Sequence, residues 1–287
     1  KGVVLSHGLC PSYSDIDTYH MAACSIDTAV RNAVAVGANI DYLALLDNFC
    51  WCSSNERVRL GQLKRAAEAC YDTAVSYGTP FISGKDSMFN DFKGYDDKGN
   101  STIISIPPTL LISSIGVIED IAKVVSLDFK FPGDYVYLLG ETNKELGGSE
   151  YYLMFDAVGN SVPRVDTLRN KRLYRAYYRA IQSNLISSGI SLDKAGLGVA
   201  LAKSAIAGQL GIEVIISDLL NNGIYRIDTA LFSESQGRLL VSVCPDNVAG
   251  FEKEMLGQSM TKLGVVIKNS NFVIQDVVNL DLDKMTK

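Results

Sequence analysis

The apolar residues in the first part of the chain change period repeatedly, and that succession limits the fold more than any other feature. Residues 18–36 place Met21, Ile26, Ala29, Val30, Ala33 and Val34 at helical spacing. Asp15, Asp17 and Thr18 offer N-caps, and Gly37 a C-terminal stop. "DYLALL" (41–46) is a compact apolar run of strand length. Helical spacing returns over 57–77 through Leu60, Leu63, Ala67, Cys70 and Ala74, and Gly78-Thr79-Pro80 ends it. "FIS" (81–83) reads as the next strand, and the polar, turn-rich "NDFKGYDDKGNS" (90–101) as an exposed loop. "TIISI" and "TLLISSIGVI" (109–118) are two further strands, with Pro107-Pro108 between them. Strand and helix in alternation, then strands in succession, predict a mixed α/β layer. The opening "KGVVLSHGL" resembles the end of a strand already under way, so a fragment of a longer polypeptide or a trimmed chain is expected.

The character shifts over "DIAKVVSLDFKFPGD" (120–134), where Pro132-Gly133 is turn chemistry ahead of a fresh strand, "YVYLLG" (135–140). The domain boundary is expected near 122–130, giving an α/β domain over 1–125 and an α+β domain over 126–287. The second half predicts helices over 166–188, 197–208 and 245–256. It predicts strands over 212–216, 238–243 and 263–268. A chain of 287 residues suits two domains of about 100–200 residues each.

A net charge of −5 with no Lys/Arg-rich run argues against nucleic acid or an anionic membrane as partner, so any phosphate handling is local. No apolar run approaches the roughly 18–20 residues of a membrane span. Six cysteines follow no disulfide-scaffold spacing, and reduced thiols in the cytoplasm are expected. "CWC" (50–52) lacks the second Cys/His pair of a zinc site. The chain contains two histidines, His7 and His20, too few and wrongly spaced for a Ser-His-Asp arrangement; His20, at a helix start, is a candidate acid/base or a structural residue.

Polar residues gather where apolar strands stop. In "SGKDS" (83–87), Gly84 permits close backbone approach, Lys85 and Ser87 can meet a phosphate, and Asp86 can reach a magnesium ion. The glycine spacing is not that of a Walker A loop, and a tight surface turn with an internal Lys–Asp pair reads equally well. Asp47 and Asn48 follow "LALL" in the same way, as ligand groups at a strand end or as helix caps. "LGGSEYY" (146–152) is read as a turn. Glu234, Ser235 and Gln236, ahead of "LLVSV", can hydrogen-bond a polar substrate or decorate a solvated hairpin end. Asn32 lies mid-helix, where asparagine is unfavourable without a partner.

Taken together, "YSDIDTYHMAACSIDTAVRNAVAVGA", "LLDNFCW", "TPFISGKDSM", "IPPTLLISSIGVIED", "PGDYVYLLGET…LGGSEYY", "AGLGVALAKSAIAGQLGI" and "FSESQGRLLVSV" occur in this order. They resemble the second synthase repeat of the phosphoribosylformylglycinamidine synthases, in the aminoimidazole ribonucleotide synthetase-like superfamily. The resemblance covers essentially the whole chain. It implies an N-terminal mixed-sheet α/β domain, a C-terminal α+β domain, and two repeats paired sheet against sheet. The implied reaction is ATP-dependent ligation: the amide oxygen of formylglycinamide ribonucleotide is activated as an iminophosphate, and ammonia from a glutaminase domain displaces phosphate. ATP and Mg2+ are the implied cofactors. The implied partners are the first repeat and glutaminase of the same longer polypeptide, and an isolated repeat with an orphaned sheet face is expected to be sticky.

Carried over position by position, the family's strand-end Gly, Asn and Ser fall on Gly84, Lys85 and Ser87, and an Asp of the preceding strand falls near Asp47. Lys85 cannot ligate a metal, so it would replace the ion's charge and Asp86 would supply an oxygen. The family's Glu-Ala-x-x-Asn metal motif reads "TAVRN" here: Asn32 is kept, and Thr28 stands where Glu is expected. Its Asp-x-Ser-x-Gly-Gly loop reads "SLDKAGL", with Ser191 at the Asp position and Asp193 at the Ser position. The resemblance therefore implies phosphate contacts from Gly84, Lys85, Ser87 and Asp47, a metal set reduced to Asn32 and Asp86, and a weak or absent nucleotide site. It assigns no catalytic residue to this repeat. A free-standing synthetase or kinase of the superfamily would carry Asp-rich motifs near the N-terminus, and a non-catalytic scaffold half is the alternative from another class.

Overall fold

The computed structural model of the chain describes residues 1–220 and 223–285. Its first sheet holds β1 (Gly2–Leu9), β2 (Leu43–Cys50), β3 (Phe81–Ser87) and β6 (Thr109–Ile118), in the order β1-β6-β2-β3. β6 runs antiparallel to both neighbours, and β2 and β3 are parallel. Two helices, α1 (Thr18–Ala35) and α2 (Arg57–Tyr77), supply the crossovers. Asp17 caps α1 by accepting from the backbone N–H of Tyr19 at 2.8 Å and His20 at 3.2 Å. Gly78, with φ +71°, ends α2 in the left-handed conformation glycine tolerates best.

Alternation along β1 separates two faces: Val4 and Gly8 point inward, and Val3, Leu5, His7 and Leu9 outward. The same holds on β6, where Leu110, Ile112 and Ser114 are buried and Ile115 and Val117 exposed. The inner face packs against α1, which is buried nearly all round. The outer face is open, with Val3 69 % and Leu5 72 % exposed beside Val117 and Ile115.

Two polar stretches differ from expectation. "SGKDS" is not a turn after a short strand: β3 runs through it to Ser87, and β2 likewise continues through Asp47 and Asn48 to Cys50. An edge strand pairs on one side only, so it tolerates polar residues along its length. Residues 90–101 are no loop; they contribute β4 (Asp91–Tyr95) to a hairpin with β5 (Ser101–Ser105). The hairpin turn is closed by the Asp96 carboxylate, which accepts from the backbone N–H of Lys98 and Asn100.

The second sheet has seven strands in the order β13-β12-β9-β11-β7-β10-β8. They are β7 (Tyr135–Leu139), β8 (Ser188–Ser191), β9 (Gly211–Val214), β10 (Leu239–Val243), β11 (Met260–Ile267), β12 (Asn271–Ile274) and β13 (Val278–Asp281). Its helices are α3 (Glu150–Leu153), α4 (Thr167–Gln182), α5 (Gly196–Gly208), α6 (Ile227–Phe232), α7 (Val248–Glu254) and α8 (Leu282–Met285). The helix expected over 166–188 stops at Gln182, because Asn184 turns left-handed (φ 55°) and the chain enters β8. "LGGSEYY" is more than a turn, since Ser149 caps the short α3.

Period-two alternation assigns each face of this sheet to its own core. Tyr137, Leu139, Leu239, Val241 and Val243 join the cluster built on α1, α2 and α4. Val136, Leu138, Leu240, Leu263 and Val266 join the cluster under α5 and α6. The first core is shared by both halves of the chain, which places α1 and α4 between the two sheets.

Candidate functional site

Two places collect the candidate residues. The first is the β2–β3 pair. Register sets Asp47 opposite Gly84, Asn48 opposite Lys85, and Cys50 opposite Ser87. Parallel partners point to the same side, so Lys85, Ser87 and Asn48 lie on the open face and Asp47 and Asp86 toward the helix side. The Lys85 ammonium donates to the Ser87 hydroxyl. Gly84 leaves room for the Asp47 carboxylate, which occupies the space a Cβ would need. Partial burial raises the Asp47 carboxyl above its ordinary value, and the neighbouring Asp86 adds to the shift. An exposed ammonium, a hydroxyl and a carboxamide side by side can hold phosphate oxygens.

The second place is the crevice between the halves. Asp27 and Arg31, one turn apart on α1 and fully buried, form an ion pair. Asp27 Oδ1 accepts from the Tyr77 hydroxyl, the Tyr174 hydroxyl at 2.7 Å and Asn170 Nδ2 at 3.1 Å; its Oδ2 accepts from Gly237 N–H at 3.1 Å. Arg31 also donates to Gln236 Oε1 at 2.9 Å and to the Leu192 carbonyl at 2.8 Å. Burial opposes its charge, yet Asp27 holds the guanidinium above its ordinary pKa. Thr28 donates to Gln236 at 3.2 Å.

Glu234, Ser235 and Gln236 are here, but as interior groups and not as a substrate-facing surface. Glu234 accepts from the Tyr13 hydroxyl and from the backbone N–H of Ala195 at 2.7 Å and Glu150 at 2.9 Å. Burial raises its carboxyl above the ordinary range, against those three donors. Ser235 Oγ accepts from Asn143 N–H at 2.9 Å. Their neighbour Arg238, fully buried, donates to Thr142 Oγ1 at 3.0 Å and to the Ser235 carbonyl at 2.9 Å; burial pulls its pKa down to about 10.

The expected metal pair is not brought together. Asn32 sits over β1, where its Nδ2 donates to the His7 carbonyl at 3.1 Å, whereas Asp86 is on β3 at the opposite edge of the sheet. Three strand spacings of about 4.8 Å lie between those edges. Asn32 Oδ1 accepts from the Ser191 hydroxyl instead. Among the described residues no group of three or more His, Cys, Asp or Glu side chains could hold a metal ion. The residues present therefore do not fit a magnesium centre. His20 is half-buried, with its pKa lowered by that burial, and its ring meets Tyr19 edge-on.

The Asp27–Arg31 pair is absent from the sequence-based candidates. Its signal was an Asp and an Arg four residues apart inside an otherwise apolar helix. Tyr13, Asn170 and Tyr174 carry no such signal, since only the fold brings them to the crevice.

Comparison with known proteins identifies both halves. The family described as AIR synthase related protein, N-terminal domain, matches residues 1–106, and AIR synthase related protein, C-terminal domain, matches 132–277. Subunit PurL of the phosphoribosylformylglycinamidine synthase of Trichormus variabilis is 33% identical over 270 residues, covering 93% of this chain and 34% of that protein. The PurL of Methanocaldococcus jannaschii is 31% identical over 300 residues, covering 100% of this chain and 38% of that protein. The chain thus spans little more than a third of the length of these relatives. The solved structure of T. maritima PurL complexed with FGAR superposes with a TM-score of 0.77 at 19% identity, covering 99% of this chain and 46% of that one. The hydrogenase maturation protein HypE in complex with ATP gives 0.66 at 13% identity, covering 94% and 78%. The two-domain fold expected from the sequence is the fold of these proteins.

Proposed function

The chain belongs to the AIR synthase related family in both its domains, and on that premise we propose that it is one synthase repeat, the second, of a phosphoribosylformylglycinamidine synthase. Its relatives carry that name, and solved PurL structures are described as complexes with FGAR and with ATP. The proposed reaction is the ATP-dependent conversion of formylglycinamide ribonucleotide to the amidine, in purine biosynthesis in the cytoplasm. Phosphate transferred to the amide oxygen makes that oxygen a leaving group. Ammonia, supplied by a glutaminase partner, adds to the same carbon, and phosphate departs.

The observation that carries this reading is the open face of the first sheet. Val3, Leu5, Ile115 and Val117 form an exposed apolar surface that a monomer does not bury. Lys85, Ser87 and Asn48 share that face. A second repeat laid sheet against sheet would cover the apolar part and leave the ammonium and hydroxyl lining a shared cleft. Phosphate contact then falls to Lys85 and Ser87, with Gly84 and Asp47 shaping the strand beneath. Alone, the chain is expected to be inactive. The division at 125/126 is proposed to separate the sheet that pairs from the domain that caps the cleft.

The test uses the full-length polypeptide that contains this chain, with ammonium chloride as nitrogen source. Turnover of formylglycinamide ribonucleotide with ADP release is expected, and Leu5→Glu, opposite Ile115 in the ladder, is expected to reduce it at least tenfold by spoiling the pairing. A folded full-length protein without that turnover overturns the assignment.

A further inference from the structure

We infer that the crevice between the two halves is closed by a built-in guanidinium–carboxylate clasp, Arg31–Asp27, and takes no magnesium–nucleotide. The inference is independent of the sheet pairing proposed above.

Most oxygens of the crevice are committed; the exceptions are Glu145 Oε2, buried without a hydrogen-bond partner, and the half-buried Asp193 carboxylate near Arg31. A divalent ion bound to a triphosphate needs several anionic or carbonyl oxygens free to turn toward it. Asp27 offers two oxygens, and five donors from three helices and the strand-leading segment 234–238 already occupy them. Glu234 has three donors, two of them backbone N–H groups that cannot swing away. Asn32 is held at both ends of its carboxamide, by Ser191 and by the His7 carbonyl. Thr28 and Ser191 are neutral hydroxyls engaged with Gln236 and Asn32.

The charge is filled as well. Arg31 places a permanent cation at the centre of the crevice, and Arg238 a second one nearby. Asp27 and Asp193 offset Arg31, and Glu145 and Glu234 offset Arg238, so a divalent ion would have to displace a guanidinium from its carboxylate partners. Packing leaves no slack, because a Cβ on Gly237 would overlap the Asn170 side chain. Arg31 joins α1 to the Leu192 carbonyl and to Gln236, so one side chain ties the first half to two segments of the second. The halves are thereby held in one arrangement without ligand.

The experiment has two arms. In the first, the chain is titrated calorimetrically with Mg–ADP, as wild type and as Asn32→Ala. No heat, or binding that Asn32→Ala leaves unchanged, supports the clasp, since any site then lies elsewhere. Magnesium-dependent binding lost in a folded Asn32→Ala protein overturns it. In the second arm, Arg31→Met leaves Asp27 buried and unpaired, and the melting temperature is expected to fall by roughly 10 °C. The double variant Asp27→Asn/Arg31→Met removes the stranded charge and is expected to recover at least half of that loss. A single variant that melts like wild type, or a double variant no better than the single, overturns the clasp. If Arg31→Met does not fold, folding of the double variant alone still supports it, and failure of both overturns it.

Discussion

Asp47 and Gly84 face each other across the parallel β2–β3 ladder, and the Asp47 carboxylate stands where a side chain on residue 84 would be. The glycine is thus required by a neighbour and not by its own backbone. Gly84→Ala is expected to lower stability by about 1 kcal/mol or less, since the obstacle is the far end of a half-buried side chain that can rotate aside. In Asp47→Ala/Gly84→Ala the obstacle is gone, so the combined loss should fall short of the sum by about 0.5 kcal/mol or more. Urea unfolding midpoints of the four proteins measure this, and strict additivity would show that another contact reserves the glycine.

Tyr13 and Glu234 make a prediction about pH. The folded-state carboxyl of Glu234 is raised above its unfolded value by burial. The folded protein therefore holds more protons in the window above the ordinary Glu pKa, and stability declines as pH rises through it. Glu234→Gln should flatten that decline, because the carboxamide oxygen keeps the Ala195 and Glu150 N–H groups while its NH2 donates to the Tyr13 oxygen. Tyr13→Phe strips a donor from a charged acceptor and should cost about 1.5–3 kcal/mol at neutral pH, less at pH 5 where Glu234 takes up a proton more readily. Denaturation curves at several pH values decide it; a Tyr13→Phe loss that is the same at pH 5 and pH 7 contradicts the assignment.

Asp228 acts in the opposite sense. Its hydrogen-bonded Arg226 is the chief cause holding the carboxyl down to about 2, helped by the Tyr151 hydroxyl at 3.0 Å and the Thr229 N–H at 2.7 Å. A depressed carboxyl contributes stability above its unfolded value near 3.9 that is lost as pH falls through about 2. Asp228→Asn removes a contribution that is present at neutral pH and absent below about pH 2, so it should lower neutral stability only slightly, because Arg226 is exposed and its pairing is screened by water, and should flatten the loss of stability between about pH 4 and 2. Urea unfolding at pH 7, 4 and 2.5 reads the difference, and wild-type and Asp228→Asn proteins that lose stability in parallel on acidification would contradict it.

What the sequence made legible follows from periodicity. α1 carries a full apolar stripe and β6 alternates cleanly, so both were visible; α2 was visible as a helix, but it buries Ala66, Ala69, Cys70, Ala74 and Tyr77 and leaves Leu60 and Ala67 of the expected stripe exposed. "FIS" and "TIISI" were legible as the start of β3 and as β5, but the extension of β3 to Ser87 and the whole of β4 were hidden, because polar residues on an edge strand or an exposed hairpin look the same as a loop; only pairing distinguishes them. The site divides on the same ground. Lys85 and Ser87 were read from local chemistry, and the register of β3 places them side by side. Asn32 with Asp86 failed as a metal pair because sequence spacing carries no strand order, and three strand spacings separate them. Glu234 to Gln236 looked exposed for being polar, yet burial is affordable to a polar group whose every oxygen has a donor.

Lys85 tests the phosphate-facing assignment on the open sheet face. Its side chain is exposed on an edge strand, where its hydrogen bond to Ser87 is short-range and open to water, so Lys85→Ala should change stability by no more than about 0.5 kcal/mol. On the proposed function Lys85 meets a developing phosphate charge, so in the full-length protein Lys85→Ala should lower turnover on the order of tenfold or more. Lys85→Arg keeps the charge and should retain more activity than Lys85→Ala, although the guanidinium cannot place its charge at the same point. Ser87→Ala should raise KM for the phosphate-bearing substrate more than it lowers kcat, if the hydroxyl binds ground and transition states alike. Kinetics and melting curves both unchanged in Lys85→Ala would remove this strand from the reaction cleft and leave β3 as scaffold.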